Sequence, residues 1–227
     1  TVDAAAPQRR IRLFPTEIIH TLCQVRHDRW LLLALTGLAW FWLVGAFAQL
    51  NLIGYGIQRL GLSEVHSNYL FLASAVGIAA GALLAARISG RRVELGIVPL
   101  GVVGLVVAPL LLQLLPPNLP LVVVTIVLFG LGAGIFSLPL QTFIQLRAQK
   151  DLRGEILAAS SFINWVGILL AAVLTFLFSG PLKLSAAQGF SFLALLTLLV
   201  GAVTLPAFPA MTRRSRQLLR SWLKGRS

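Results

Sequence analysis

Charged side chains are scarce in this sequence, and the residues that build metal or redox sites are scarcer still. Only 11% of the 227 residues are charged, with seven acidic against nineteen basic. The single cysteine, Cys23, excludes an internal disulfide. The three histidines, His20, His27 and His66, lie outside the long apolar runs, and no paired carboxylates or His/Cys cluster occur. The sequence therefore predicts no metal, no cofactor and no enzymatic activity.

Hydrophobic residues dominate the composition. They make up 57% of the chain, and the mean hydropathy is +0.87, whereas about a quarter of a soluble domain is charged. We therefore expect an integral membrane protein. The net charge of +12 sits in short clusters between apolar runs, a distribution typical of cytoplasmic loops of membrane proteins. Nucleic acid is not an expected partner.

Apolar runs of about twenty residues, the length of one membrane crossing, occur six times. They predict spans at residues 30–50, 68–87, 95–115, 120–144, 156–178 and 189–208. All lysines and arginines except Arg59 and Lys183 lie before the first span or after the second, fourth or sixth. This asymmetry places both termini in the cytoplasm. Tyr55 and Tyr69 are expected at the outer membrane interface.

The two flanks are more polar. Residues 1–29 predict a cytoplasmic linker that ends in an amphipathic helix on the membrane surface, with Ile11, Phe14 and Ile18 on one side. Residues 209–227 predict a basic cytoplasmic tail. Because the chain opens at Thr1 and its only methionine is Met211, we expect the C-terminal portion of a longer polypeptide.

Small residues recur at helical spacing in the second and fourth spans, a pattern typical of closely packed membrane helices. The glycines of FGLGAGIF lie inside an apolar span with no strand before them, which excludes a nucleotide-binding loop. With the proline that follows, they predict either close packing or a flexible point. The helix-packing candidates are Gly77, Gly81, Gly130, Gly134 and Pro139.

No predicted span carries a charge near its centre, which argues against proton coupling within this segment. Uncharged polar side chains recur instead in the fourth and fifth spans, where they require other helices or a hydrated cavity as partners. Hydrogen bonding between helices and cavity lining both fit. The third and sixth spans have little polarity and are expected to face lipid. The substrate-path candidates are Trp42, Gln49, Ser137, Gln141, Gln145, Ser160 and Asn164.

Six spans with basic loops after the second and fourth resemble the C-terminal half of a major facilitator superfamily transporter. That resemblance implies an all-α membrane fold of two three-helix repeats. The loop after the second span resembles the glycine and arginine signature of the superfamily, although Ala85 or Ala86 stands near the position of its aspartate. The candidates for a gating role in the two loops are Arg87, Gly90, Arg91, Arg92, Glu94, Arg147, Arg153 and Gly154.

Three stretches, AWFWLVGA, ARISGRRVELGIVPLG and LRGEILAASSFIN, resemble bacterial lysophospholipid transporters. The similar type is fused to, or encoded beside, 2-acylglycerophosphoethanolamine acyltransferase and acyl-carrier-protein synthetase. The resemblance implies a carrier that flips lysophosphatidylethanolamine from the outer to the inner leaflet of the bacterial inner membrane for re-acylation. The implied partners are membrane lipids, a missing N-terminal six-helix half and the cytoplasmic acyltransferase/synthetase.

Three alternatives remain open at this point. The chain could anchor a fused acyltransferase without transporting anything, or it could carry another small amphipathic solute. It could also be a complete six-span protein that dimerises.

Overall fold

The computed structural model describes residues 28–89, 95–148 and 152–204, and these residues form six α-helices. The predicted surface helix, the loop residues 90–94 and the basic tail lie outside the described residues. In chain order the helices are α1 (Arg29–Leu60), α2 (Glu64–Ser89), α3 (Val98–Leu114, preceded by a 3-10 turn at Leu95–Ile97), α4 (Leu119–Arg147), α5 (Arg153–Ser179) and α6 (Ala186–Thr204).

Each predicted span overlaps one of these helices, and residues 205–208 of the sixth span lie outside the described residues. Within the described residues, α1, α2, α4, α5 and the segment Leu95–Leu114 are long and apolar enough to cross a membrane, and α6 carries a shorter apolar segment, Ala186–Ala202. Several helices extend past the apolar run, most of all α1, which continues to Leu60 instead of ending near residue 50. Hydropathy detects only the apolar portion, whereas the helix continues until a stop signal. For α1 that signal is Gly61, whose φ of 64° ends the helix in the left-handed conformation.

The chain order divides the helices into two units of three, α1–α3 and α4–α6, and most of the contacts between helices join one unit to the other. The helix α2 packs along α4, and α5 packs along α1. If each helix is replaced by its equivalent in the other unit, the α2–α4 contact becomes the α5–α1 contact. In the same way the α3–α4 contact corresponds to the α1–α6 contact, and α3 packs on α6. Because each unit has an odd number of helices, equivalent helices run in opposite directions, which is the arrangement of an inverted repeat.

Burial differs strongly between the helices. Over their most apolar 18-residue windows, 56% of the Leu95–Leu114 segment is buried but only 28% of α2 and 11% of α5. The expectation that the third span faces lipid is therefore wrong, because α3 packs between α4 and α6. An apolar run does not reveal whether lipid or protein surrounds it, since both environments favour the same side chains.

The two ends of the bundle have different chemistry. We call the end with Asp28, Arg87, Arg147 and Arg153 the basic end. The opposite end, where Pro116, Pro117 and Pro181 lie between helices, is the proline end.

At the proline end, α1 supplies hydrogen bonds that the last turn of α3 lacks. Pro116 and Pro117 have no N–H to offer the carbonyls of the preceding turn. The Tyr55 hydroxyl donates to the Leu112 carbonyl at 2.8 Å, and Arg59 donates to the Gln113 carbonyl at 3.1 Å. Tyr55 is fully buried within the protein, whereas Tyr69 is 59% exposed, so of the two tyrosines only Tyr69 presents its ring at the surface of the bundle.

The same part of α1 also holds the start of α6. The Asn51 side-chain amide donates to the Ala186 carbonyl at 2.6 Å, and the Gln58 side-chain carbonyl accepts from the Ala186 N–H at 3.0 Å. The first N–H groups of a helix have no partner within it, and the Gln58 oxygen supplies one for Ala186. α1 therefore ties together one end of α3 and one end of α6.

Candidate functional site

Glycines on α4 and α2 allow these two helices to pack closely. A Cβ at Gly130 would collide with the Ser74 carbonyl of α2, and one at Gly134 with the Ile78 carbonyl. A Cβ at Gly77 or Gly81 would likewise meet the α4 backbone. These four candidates therefore lie where α2 and α4 approach each other most closely.

Gly132, which was not among the candidates from the sequence, allows close packing on the opposite side of α4. A Cβ at Gly132 would lie 2.9 Å from the Gly104 Cα, and one at Gly101 would lie 2.7 Å from the Phe136 nitrogen. Residues two apart on a helix point about 200° apart, so Gly132 contacts α3 while its neighbours contact α2. The alternating GLGAG spacing was the available signal. Pro139 is also buried, and α4 remains one continuous helix through it.

A cavity of about 420 Å³ lies between α1, α2 and α4. Four of the substrate-path candidates, Trp42, Gln49, Ser137 and Gln141, line it. Cavities that bind small molecules usually measure about 300–1,000 Å³, so this one is large enough for a ligand. Trp42 and Gln49 are exposed, which shows that the cavity opens at the surface of the bundle.

The walls of this central cavity are mostly apolar and partly aromatic. Phe41 packs edge-on against Trp42 at 5.8 Å and stacks on Phe136 at 6.4 Å. Phe71 and Phe129 complete the aromatic part. None of the described lining residues is charged, so the polar contacts available to a ligand come from amides, one indole and hydroxyls. Such a site suits a ligand with a large apolar portion and a hydrogen-bonding head.

The other three substrate-path candidates lie outside the lining. Gln145 is exposed at the basic end of α4, Ser160 is buried, and Asn164 is half-buried. Since α4 and α5 contact each other only slightly, their polar stripes do not form one wall. α5 reaches the cavity through Ile168, one turn beyond Asn164.

The polar stripe of α5 instead lies near α1. A Cβ at Gly167 would be 2.7 Å from the Ala39 carbonyl oxygen, which shows how closely α5 and α1 pack. The Asn164 Oδ1 is buried and has no hydrogen-bond partner among the described residues.

The model of the Major Facilitator Superfamily matches residues 3–172, which include α1 to α4 and most of α5. The chain belongs to the major facilitator superfamily. No curated protein and no solved structure matches it. Family membership indicates a secondary transporter and not an enzyme. The described structure agrees with the fold, because its six helices form one facilitator half of two three-helix repeats.

The loop candidates that the structure describes lie at the basic end of this facilitator half. Arg87, Arg147, Arg153 and Gly154 are exposed, and the remaining four, Gly90, Arg91, Arg92 and Glu94, lie outside the described residues. Arg147 is also 5.9 Å from the centre of the Phe143 ring.

An ion pair connects the start of α1 with the end of α4 at the basic end of the facilitator half. The Arg147 Nε donates to Asp28 Oδ2 at 2.7 Å, and the other Asp28 oxygen caps α1 by accepting from the N–H groups of Trp30 and Leu31. Sequence reasoning missed Asp28, although an aspartate directly before an apolar helix is a capping signal.

The electrostatics of Asp28 follow from these contacts. Partial burial by itself raises the pKa of Asp28, but the hydrogen bonds and positive charge of Arg147, together with the backbone donors, outweigh it and lower the pKa below the ordinary value. Asp28 is therefore ionised near neutral pH. No group of three His, Cys, Asp or Glu side chains that could hold a metal occurs in the described part of this facilitator half.

Proposed function

We propose that this facilitator half belongs to a carrier that flips lysophospholipids, with lysophosphatidylethanolamine as the main substrate, from the outer to the inner leaflet of a bacterial inner membrane. The observation that carries the proposal is the uncharged, mostly apolar central cavity of about 420 Å³. An apolar wall can hold the acyl chain, while Gln49, Ser137 and Gln141 can hydrogen-bond the head group. The resemblance of three sequence stretches to lysophospholipid transporters supports the same substrate.

The distribution of polar groups in the cavity favours an amphiphile over a sugar. A sugar presents hydroxyls on all sides and requires many hydrogen-bond partners, because each buried polar group without one is costly. In this cavity the polar side chains are few, and Phe41, Trp42 and Phe129 are among the lining residues. A single-chain lipid needs polar partners only at its head.

The missing N-terminal half is the proposed partner of α2 and α5. These equivalent helices of the two repeats are the least buried of the five long apolar helices, and the central cavity is open where Trp42 and Gln49 are exposed. Small side chains such as Ala75 and Ala79 on α2 and Ser161 on α5 are exposed and would permit close helix contact. A second six-helix half placed there would close the cavity and permit rocking between outward and inward openings.

The basic end is proposed to face the cytoplasm, where lysines and arginines of membrane proteins accumulate. Both termini would then be cytoplasmic, and the acyltransferase/synthetase could re-acylate the lipid at that membrane surface. With Cys23 replaced by serine, single cysteines introduced at Arg91 and at Pro117 should be labelled from opposite sides of the membrane. Labelling of both from one side would contradict the orientation and the number of crossings.

Transport is tested with the complete transporter, reconstituted in vesicles with lysophosphatidylethanolamine that carries a fluorophore. Inward movement is measured as protection of the fluorophore from an external quencher. Hydrogen bonds to a charged head group are worth about 1.5–3 kcal/mol, so Gln141→Leu should lower transport roughly tenfold or more at unchanged protein level. Gln145→Leu, one turn along the same helix but outside the cavity, is the matched control and should transport normally.

Asn164→Leu provides a second variant on α5. It removes an amide oxygen that has no partner in the described structure, so we expect protein level to be retained, and because Asn164 lies outside the cavity lining, transport should remain close to that of Gln145→Leu. Equal transport by Gln141→Leu and Gln145→Leu would refute a role for the cavity wall. If wild-type protein moved no lysolipid, the non-transporting anchor or a carrier of another solute would replace the proposal.

A further inference from the structure

Four polar side chains of the central cavity make no hydrogen bond within the described residues. They are the amides of Gln49 and Gln141 and the hydroxyls of Ser74 and Ser137. By contrast, the amides of Asn51 and Gln58 on α1 are both bonded to Ala186. Ser74 and Ser137 are 4% and 6% exposed, but their hydroxyl oxygens keep accessible surface. A ligand atom in the cavity can therefore reach all four groups.

The two amides lie on opposite sides of one aromatic contact. The rings of Phe41 on α1 and Phe136 on α4 stack at 6.4 Å, which places these two residues at one level of the bundle. Gln49 follows Phe41 by eight residues, about 12 Å towards the proline end. The helix α4 runs the other way, so Gln141, five residues after Phe136, lies about 7 Å towards the basic end. The amides are thus about 20 Å apart along the bundle.

Each serine lies on the same side of this aromatic contact as one of the amides. A Cβ at Gly130 would collide with the Ser74 carbonyl, so Ser74 is level with Gly130. That level is six residues before Phe136, about 9 Å towards the proline end. Ser137 directly follows Phe136 towards the basic end. We call Gln49 and Ser74 the proline-side pair, and Ser137 and Gln141 the basic-side pair.

The wall between the two pairs is nearly apolar but leaves room for a ligand. Trp42 supplies the one other polar side chain of the described lining, an indole N–H that can only donate. Gly45 lies one turn from Phe41 and one turn from Gln49, and a Cβ at this position would meet nothing within 4 Å. Glycine inside a helix is less favourable than alanine, and no described neighbour requires it here. The open space at Gly45 therefore connects the levels of the two pairs.

We propose that the lysolipid head group binds the proline-side pair first and the basic-side pair second, and passes Gly45 between them. This inference rests on the proposed lysophospholipid transport. The hydrocarbon core of a bilayer is about 30 Å thick, so one fixed polar site cannot accompany a head group across it. Two sites about 20 Å apart divide the crossing into shorter steps.

The chemistry of each pair suits a zwitterionic head group. A glutamine amide both donates and accepts hydrogen bonds, and a serine hydroxyl does the same. The phosphate oxygens of lysophosphatidylethanolamine accept from the amide N–H groups and the hydroxyl, while its ammonium group donates to the amide oxygen. Either pair by itself can therefore bind both charges of the head group.

The order of binding is tested with the complete transporter in vesicles whose proline end faces outward. The initial rate of inward movement is measured against the mole fraction of fluorescent lysophosphatidylethanolamine in the outer leaflet. Gln49→Leu should raise the half-saturating mole fraction about tenfold and leave the maximal rate nearly unchanged, because it removes a hydrogen bond of the initial complex. Gln141→Leu should lower the maximal rate about tenfold at a nearly unchanged half-saturating mole fraction, because its hydrogen bond forms only after reorientation.

The serines provide an independent pair of small changes. Ser74→Ala should raise the half-saturating mole fraction, as Gln49→Leu does, and Ser137→Ala should lower the maximal rate, as Gln141→Leu does. Gln145→Leu, which is exposed outside the cavity, is the control and should change neither value. A defect in folding would lower the amount of active protein and leave the half-saturating mole fraction unchanged, so it cannot imitate the effect expected at Gln49 and Ser74.

The outcomes separate this inference from the proposed function. If the wild-type protein moves the lysolipid but Gln49→Leu and Gln141→Leu change the same value by the same factor, the head group has one site and only the two-site proposal is wrong. An unchanged half-saturating mole fraction for Gln49→Leu, or the opposite assignment of the two effects, would also overturn it. If the wild-type protein moves no lysolipid, both proposals are wrong.

Discussion

The hydrogen bond from Tyr55 to the end of α3 can be removed without changing the packing around it. Tyr55→Phe deletes only the hydroxyl that donates to the Leu112 carbonyl at 2.8 Å. The ring remains, together with its edge-on contact with Phe190 at 5.6 Å. Because residue 116 is a proline, no backbone N–H one turn later can replace the lost donor.

The expected cost lies between two reference values. Hydrogen bonds between membrane helices average about 0.6 kcal/mol in double-mutant cycles, whereas a buried group left unsatisfied costs about 1–3 kcal/mol. Tyr55 is fully buried, and the neighbouring Arg59 already donates to Gln113 and Leu115. The Leu112 carbonyl therefore has no substitute nearby, and we expect a loss of about 1–2 kcal/mol.

The free energy of unfolding of the transporter in detergent measures this loss. Tyr69→Phe is the matched control, because it removes the same group from a side chain that is 59% exposed, and its effect should stay within about 0.5 kcal/mol. A cost for Tyr55→Phe no larger than that of the control would refute the reasoning that Pro116 leaves the carbonyl dependent on Tyr55.

The remaining predictions concern the glycine contacts and the basic end. Gly130→Ala should lower stability by more than about 2 kcal/mol because its Cβ would collide with the α2 backbone. The control Gly45→Ala places its Cβ in open space and should leave stability unchanged or raise it. Similar unfolding curves for the two variants would contradict this prediction. Arg147→Gln should cost less than about 1 kcal/mol because the pair is partly exposed, and Asp28→Ala should cost more because it also removes the α1 cap. The pKa of Asp28 is lowered in the folded state. Its contribution to the free energy of unfolding should therefore be complete above the unfolded pKa and disappear as the pH falls through the folded pKa. A loss of this stabilisation between pH 6 and 8 would contradict the prediction.

Local properties of the sequence predicted the membrane helices. A crossing needs about twenty apolar residues, whatever surrounds it, and each predicted span lies on one observed helix. Helical periodicity also holds without tertiary information, because residues four apart share one side. Gly77 and Gly81 were therefore recognisable as one small stripe, and in the structure they lie against the α4 backbone.

Tertiary packing decided which helix or cavity each side of a membrane helix contacts. Gly132 contacts α3 while Gly130 contacts α2, and nothing local distinguishes the two glycines. Gln141 lines the central cavity, but Gln145, one turn further on and exposed, does not.

A second cavity, enclosed by α1, α3, α4 and α6, depends on tertiary structure most of all. Trp40 and Thr197 are 157 positions apart in the chain, yet both border one space between four helices. Their side chains give no local sign that they lack hydrogen-bond partners, since a threonine can usually find one within its own helix. The sequence determined that these helices enter the membrane, because hydropathy is a property of each segment alone. Only the packing of separate segments decided which polar groups share a cavity.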